Sequence, residues 1–159
     1  MSKAHVVTVS DGVFHGTRVD KSGAALVNLL KKDGFDVDGP DVVPDEVERI
    51  TEAVMGAVAR GADLVVATGG TGLGPRDVTP QAIAAIVDYQ VAGIGEAMRR
   101  AGASSTPMAA LSRSMAGVCK RTLIISVPGS VSGAVESMQA VLPVVGHAIK
   151  LLHGDTTHS

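Results

Sequence analysis

The chain alternates short, continuous apolar runs with longer segments in which apolar positions recur every three or four residues. The runs read as strands buried on both faces, and the spaced segments read as amphipathic helices. Residues 4–9 (AHVVTV) form the first expected strand. It ends at Ser10-Asp11-Gly12, and a loop continues to about Arg18. Asp20-Lys21-Ser22-Gly23 opens a helix that runs to Lys32, with Leu26, Leu29 and Leu30 on its apolar face and Gly34 as its stop. Residues 35–43 read as a shorter strand, at an edge or irregular around Pro40. Pro44-Asp45-Glu46 starts a helix with Ile50, Val54 and Val58 at helical spacing, and Arg60-Gly61 ends it. A strand over residues 63–68 leads into a glycine-rich stretch, then helices over residues 79–88 and 93–101.

Residues 102–114 are rich in Ser, Thr and Pro and read as irregular. Residues 115–120 and 122–127, joined at Lys120-Arg121, read as an antiparallel pair. A long helix over residues 132–152, bent at Pro143, finishes the chain before a frayed tail over residues 154–159. Strands and helices in alternation predict an α/β fold: one domain over residues 1–159, three αβα layers, and a mostly parallel sheet with one antiparallel strand.

Composition narrows the function. The chain has 159 residues, 45% of them apolar and only 2% aromatic, so its core is built from aliphatic side chains. That scarcity argues against single-stranded nucleic-acid binding, which uses aromatic stacking platforms. The formal charge of −2 suggests neither a polyanion partner nor a membrane surface. It divides unevenly, with 13 acids against 8 bases through residue 89 and 3 against 6 after it. The second half therefore has an excess of cations suited to a small anion. Cys119 has no partner for an internal disulfide, and the start lacks a secretory pattern, so the expected compartment is the cytoplasm. No apolar run reaches membrane-spanning length, and the histidines lack zinc-ligand spacing. Met98, Met108, Met115 and Met138 read as core fillers.

The chemistry concentrates in residues 68–80, TGGTGLGPRDVTP. Four glycines within six positions, between a strand and a helix, let backbone N–H groups approach an anion closely. Arg76 adds a charge fork for phosphate, and Asp77 a carboxylate for magnesium. The stretch lacks the Lys-Ser/Thr of a Walker loop, and its glycine spacing is not that of the dinucleotide fingerprint. Three other loops end expected strands: Ser10-Asp11-Gly12, Pro44-Asp45 and Pro128-Gly129-Ser130. In a parallel sheet all four open on one edge and can share a crevice. Asp45 reads either as a helix cap or as a second magnesium ligand, and Asp77 likewise as cap or ligand. Ser112-Arg113-Ser114 alone reads as an exposed turn.

Taken together and in order, VVPDEVERI (42–50), TGGTGLGPRDVTP (68–80), LSRSMAGV (111–118) and LIISVPGS (123–130) resemble the molybdopterin-binding Mog/MoaB family. Its domain is also the G domain of gephyrin and of plant molybdenum-cofactor synthases. The resemblance implies a homotrimer that uses ATP, molybdopterin and Mg2+ to make adenylyl-molybdopterin and pyrophosphate. A protein that inserts molybdate would then receive the product. Asp45 and Asp77 match the family's essential acids. Gly69, Gly70, Thr71, Gly72, Arg76, Ser112, Arg113, Gly129 and Ser130 are expected around the pterin and its phosphate. Ser10, Asp11, Asp20, Ser22 and Gly23 are expected near the nucleotide. The alternative is a binding-only relative, a carrier or scaffold without adenylyl transfer. Val13 and Phe14 lengthen the first loop and suit a subunit interface.

Overall fold

The computed structural model describes residues 1–156; positions 157–159 of the expected tail lie outside the described residues. Its strands are β1 (Lys3–Val9), β2 (Asp36–Val43), β3 (Leu64–Thr68), β4 (Tyr89–Gln90), β5 (Ala116–Cys119) and β6 (Thr122–Val127). They form a six-stranded sheet in the order β2-β1-β3-β6-β5-β4. β2, β1, β3 and β6 are parallel, whereas β5 runs against both of its neighbours. The expected mostly parallel sheet with one antiparallel strand is the observed one.

The central strands are buried along their whole length because helices cover both faces. Side chains alternate between two cores with the period-two geometry of a strand. On one face Val6, Leu64, Val66, Leu123 and Ile125 pack among residues of α2 (Lys21–Lys32), α5 (Ala92–Ala103) and α6 (Val131–Leu152). On the other, Val7, Val65, Ala67 and Ile124 meet α3 (Val47–Ala59) and α4 (Thr79–Ile86). Met98 and Met138 fill the first core as expected, but Met108 is 64% exposed and fills neither.

Local structure departs from expectation at a few points. The loop after β1 contains a single helical turn, α1 (Asp11–Phe14), because Ser10 Oγ accepts the Val13 N–H as an N-cap. Phe14 packs under the Arg49 guanidinium, 5.2 Å from its ring centre. The helix expected to reach residue 88 stops at Ile86, and Tyr89–Gln90 pairs with β5 as a short edge strand. The irregular segment includes a 3-10 turn, Pro107–Leu111. Pro143 lies inside α6. The chain is not frayed from Gly154, since the N–H groups of Gly154 and Asp155 bond to the carbonyls of Leu151 and Lys150.

At the sheet edge where β1 and β3 begin, Asp63 joins both ends of the fold. One carboxylate oxygen accepts the Lys3 N–H at 2.8 Å, and the other lies 2.8 Å from His153 Nε2. The opposite edge, where β1, β2, β3 and β6 all end, carries the site.

Candidate functional site

Two cavities open on that edge. The first, of about 310 Å3, is polar and is lined from all four strand-end loops, including Ser10, Asp45, Gly69, Gly70, Asp77, Gly129 and Ser130. The start of α2 adds Asp20, Lys21 and Ser22, and Arg18 stands just before it. The second, of about 410 Å3, is mainly apolar and lies between α5, α6 and the 3-10 turn. Thr71, Gly72, Ser112 and Ser130 line it, with Leu73, Met98, Met108 and Leu111. Both volumes fall within the range of about 300–1,000 Å3 usual for small-molecule sites. Ser130 belongs to both cavities, and the glycine loop forms a wall of each.

The glycine loop depends on its residue types. Gly69 has φ +105° and Gly70 φ +69°, in the left-handed region that disfavours other residues. A Cβ on Gly69 would lie 2.2 Å from the Val9 carbonyl oxygen, and one on Gly70 2.3 Å from Thr79 Oγ1. Thr79 Oγ donates to the Gly69 carbonyl and its N–H to the Gly70 carbonyl, so this buried threonine pins the turn. It does not cap α4, which starts after Val78 without a side-chain cap.

The two acids both line the polar cavity. Asp45 Oδ2 accepts the Asp11 N–H at 2.8 Å, and Asp11 Oδ1 accepts the Asp45 N–H at 3.0 Å. This reciprocal clasp removes Asp45 from the helix cap, and α3 begins with no side-chain cap at all. Asp77 Oδ2 accepts the Gly74 N–H at 2.9 Å, so it closes its own loop instead of capping α4. Burial holds the Asp45 carboxyl above its ordinary value; the Asp11 N–H opposes this, and the charges of Asp11 and Asp77 reinforce it. The hydrogen-bonded fork of Arg76, followed by the Asp45 N–H, holds Asp11 below its ordinary value.

Two expected phosphate groups are spent on the protein itself. Arg76 donates from Nε and an Nη to the two Asp11 oxygens, both at 3.0 Å, and lines neither cavity. Arg113 donates to the Gly72 carbonyl at 2.8 and 3.0 Å, to the Asp77 carbonyl at 2.8 Å and to Gln81 Oε1 at 3.3 Å. Its N–H bonds to the Thr71 carbonyl at 2.9 Å. Arg113 is thus a clasp across the loop rather than a free cation. Asp11 and Gly23 also stand behind the wall: Asp11 holds Asp45 and Arg76, and the Gly23 N–H bonds to Asp20 Oδ1. Asp20 Oδ2 accepts from the buried Thr8 hydroxyl.

Sequence reading missed Arg18 and Lys21 as cavity cations and most of the apolar cavity, whose residues come from helices far apart in the chain. Val13, read as an interface residue, lines the polar cavity. Among the described residues, no three carboxylate, histidine or cysteine side chains cluster as a closed metal cage. Asp45 and Asp77 together are the donor set magnesium takes when substrate phosphates complete its shell. The residues present fit that ion.

Residues 5–147 match the family model described as "Probable molybdopterin binding domain". The chain belongs to this molybdopterin-binding family. Among its members, the molybdenum cofactor biosynthesis bifunctional protein of Synechococcus elongatus is 43% identical over 152 residues. That match takes in 95% of this chain but 47% of the relative, so the chain spans about half the length of that protein. The molybdopterin adenylyltransferase of Helicobacter pylori is 33% identical, over 94% of this chain and 87% of its own. The crystal structure of the molybdopterin biosynthesis enzyme MoaB from Thermus thermophilus superimposes with a TM-score of 0.91 at 46% identity, covering 97% of this chain and 98% of that one. The family's place in molybdenum cofactor biosynthesis therefore extends to this chain.

Proposed function

We propose that this protein is a molybdopterin adenylyltransferase, transferring AMP from ATP to the terminal phosphate of molybdopterin with release of pyrophosphate. The observation that carries this reading is the meeting of a polar, acid-bearing cavity with an apolar one at Ser130. A nucleotide triphosphate suits the first and a flat heterocycle the second, with the acceptor phosphate where they join. Ser130 is also the N-cap of the 22-residue helix α6, whose positive end faces that junction. The adenylyltransferase activity named for the Helicobacter relative supports the same assignment.

In this arrangement a phosphate oxygen of molybdopterin bonds to the α-phosphorus of ATP, and the bond from that phosphorus to the bridging oxygen breaks. Pyrophosphate carries away the electron pair. The nucleophile is already an anion, so the protein supplies position and charge, not a base. Arg18 and Lys21 bring positive charge to the triphosphate cavity. Backbone N–H groups at Gly70 and the start of α6 hold the acceptor phosphate, while the Gly69 N–H is bonded to the Val127 carbonyl. Asp45 and Asp77 would hold magnesium, which when bound would supply charge neutralisation at the triphosphate and the leaving group. A homotrimer, and hand-over of the product to a molybdate-inserting protein, belong to the same reading.

The test is pyrophosphate release with ATP, magnesium and molybdopterin. Release should depend on molybdopterin and fall about 100-fold or more in Asp77→Ala. Molybdopterin binding without any release would instead mark a carrier.

A further inference from the structure

The apolar cavity contains two charged side chains that the adenylyl transfer does not use. Glu136 reaches it from α6 and Arg99 from α5. Among the described residues neither takes part in an ion pair. The Ser105 hydroxyl donates to Glu136 Oε2, which fixes the carboxylate and leaves Oε1 and further lone pairs open. Arg99 donates from one Nη to the Ser114 carbonyl at 2.7 Å, which fixes the guanidinium and leaves other N–H groups available. Charged groups anchored in a mainly apolar pocket set which polar edge of a ligand is accepted.

A pterin ring presents such an edge: parallel N–H donors at the 2-amino group and N3, and a carbonyl acceptor at C4. A carboxylate accepts from two adjacent donors, and a guanidinium donates to a ring carbonyl. We infer that Glu136 reads the 2-amino and N3–H donors of the pterin and Arg99 its 4-oxo group, making this pair the specificity determinant for the pyrimidine ring. The inference rests on the pterin-binding reading above.

The test replaces one ligand atom and one protein atom. Its probes are phosphorylated 6-hydroxymethylpterin and the matching lumazine, in which an oxo group replaces the 2-amino group. Binding is followed by ligand fluorescence at concentrations up to millimolar, without ATP. The wild type should prefer the pterin by about 10-fold or more, since lumazine keeps the N3–H but sets an oxygen against the carboxylate where the 2-amino donor stood. Glu136→Gln is isosteric and supplies an amide N–H, so the preference should invert toward lumazine. Glu136→Asp keeps the charge and should keep the pterin preference at lower affinity. An unchanged preference in Glu136→Gln, with the wild type still binding the pterin, overturns the role of Glu136 alone. A wild type that binds neither probe overturns the pterin reading and this inference with it.

Discussion

Asp45 is under two opposed demands. Its carboxylate must be charged to attract a cation, yet burial holds its pKa above the ordinary 3.8. The native state therefore binds this proton more tightly than the unfolded chain does. The favourable term is complete below the ordinary value and is lost as pH rises through the raised one. Asp45→Asn keeps an oxygen for the Asp11 N–H and carries no charge. It should melt no lower than the wild type at pH 7, and the difference should shrink as pH falls toward 4, followed by circular dichroism. Asp11 shifts in the other direction, so its contribution is lost as pH falls; the main causes of that shift, the Arg76 fork and the Asp45 N–H, are kept in Asp45→Asn. The same variant should release pyrophosphate about 100-fold or more slowly. The sequence identified both acids through their place after strands, but not their partners. The helix-cap reading of Asp45 is set aside by the Asp11 N–H, 34 residues away, which bonds to its carboxylate. Arg76 and Arg113 illustrate the same limit: residue type predicts a cation, and only the fold supplies the acceptor that occupies it.

Between β3 and α4 the chain turns through a loop whose shape is held from outside. Three of the Arg113 side-chain bonds end on carbonyls at its two halves, Gly72 and Asp77. Arg113→Ala should cost about 2–3 kcal/mol in urea unfolding, from charged hydrogen bonds lost together. Arg113→Lys should recover little of it, because an ammonium cannot span both carbonyls as a planar fork does. Gly70→Ala meets a harder barrier. It needs a left-handed backbone and places a methyl group against Thr79 Oγ1, so about 1–2 kcal/mol of backbone strain adds to a steric clash. The long periodic elements were legible because their apolar pattern is continuous. α1 and β4 were not, because a single turn and a two-residue strand are too short to express any period.

Across the whole molecule, the parallel direction of β1, β2, β3 and β6 brings loops from four parts of the sequence to one edge, and that convergence was legible from strand order alone. The apolar cavity was not, because its lining comes from segments far apart in the chain, the glycine loop, α5 and α6 among them. Met98 reads as a core filler from its residue type and is one, yet it also lines that cavity. Assembly is tested at this scale as well: light scattering at low concentration should give about three times the 16.1 kDa of one chain. Asp63 has a different consequence. By fastening Lys3 and His153 to one carboxylate, it brings the beginning of the first strand and the end of the last helix together, on the side away from both cavities. A neighbouring domain attached at either point leaves the cavity mouths uncovered, which makes the fold a portable cassette. A circular permutant that bridges these two points with a short linker and opens the chain at an exposed turn such as Lys120-Arg121 should keep both cavities intact.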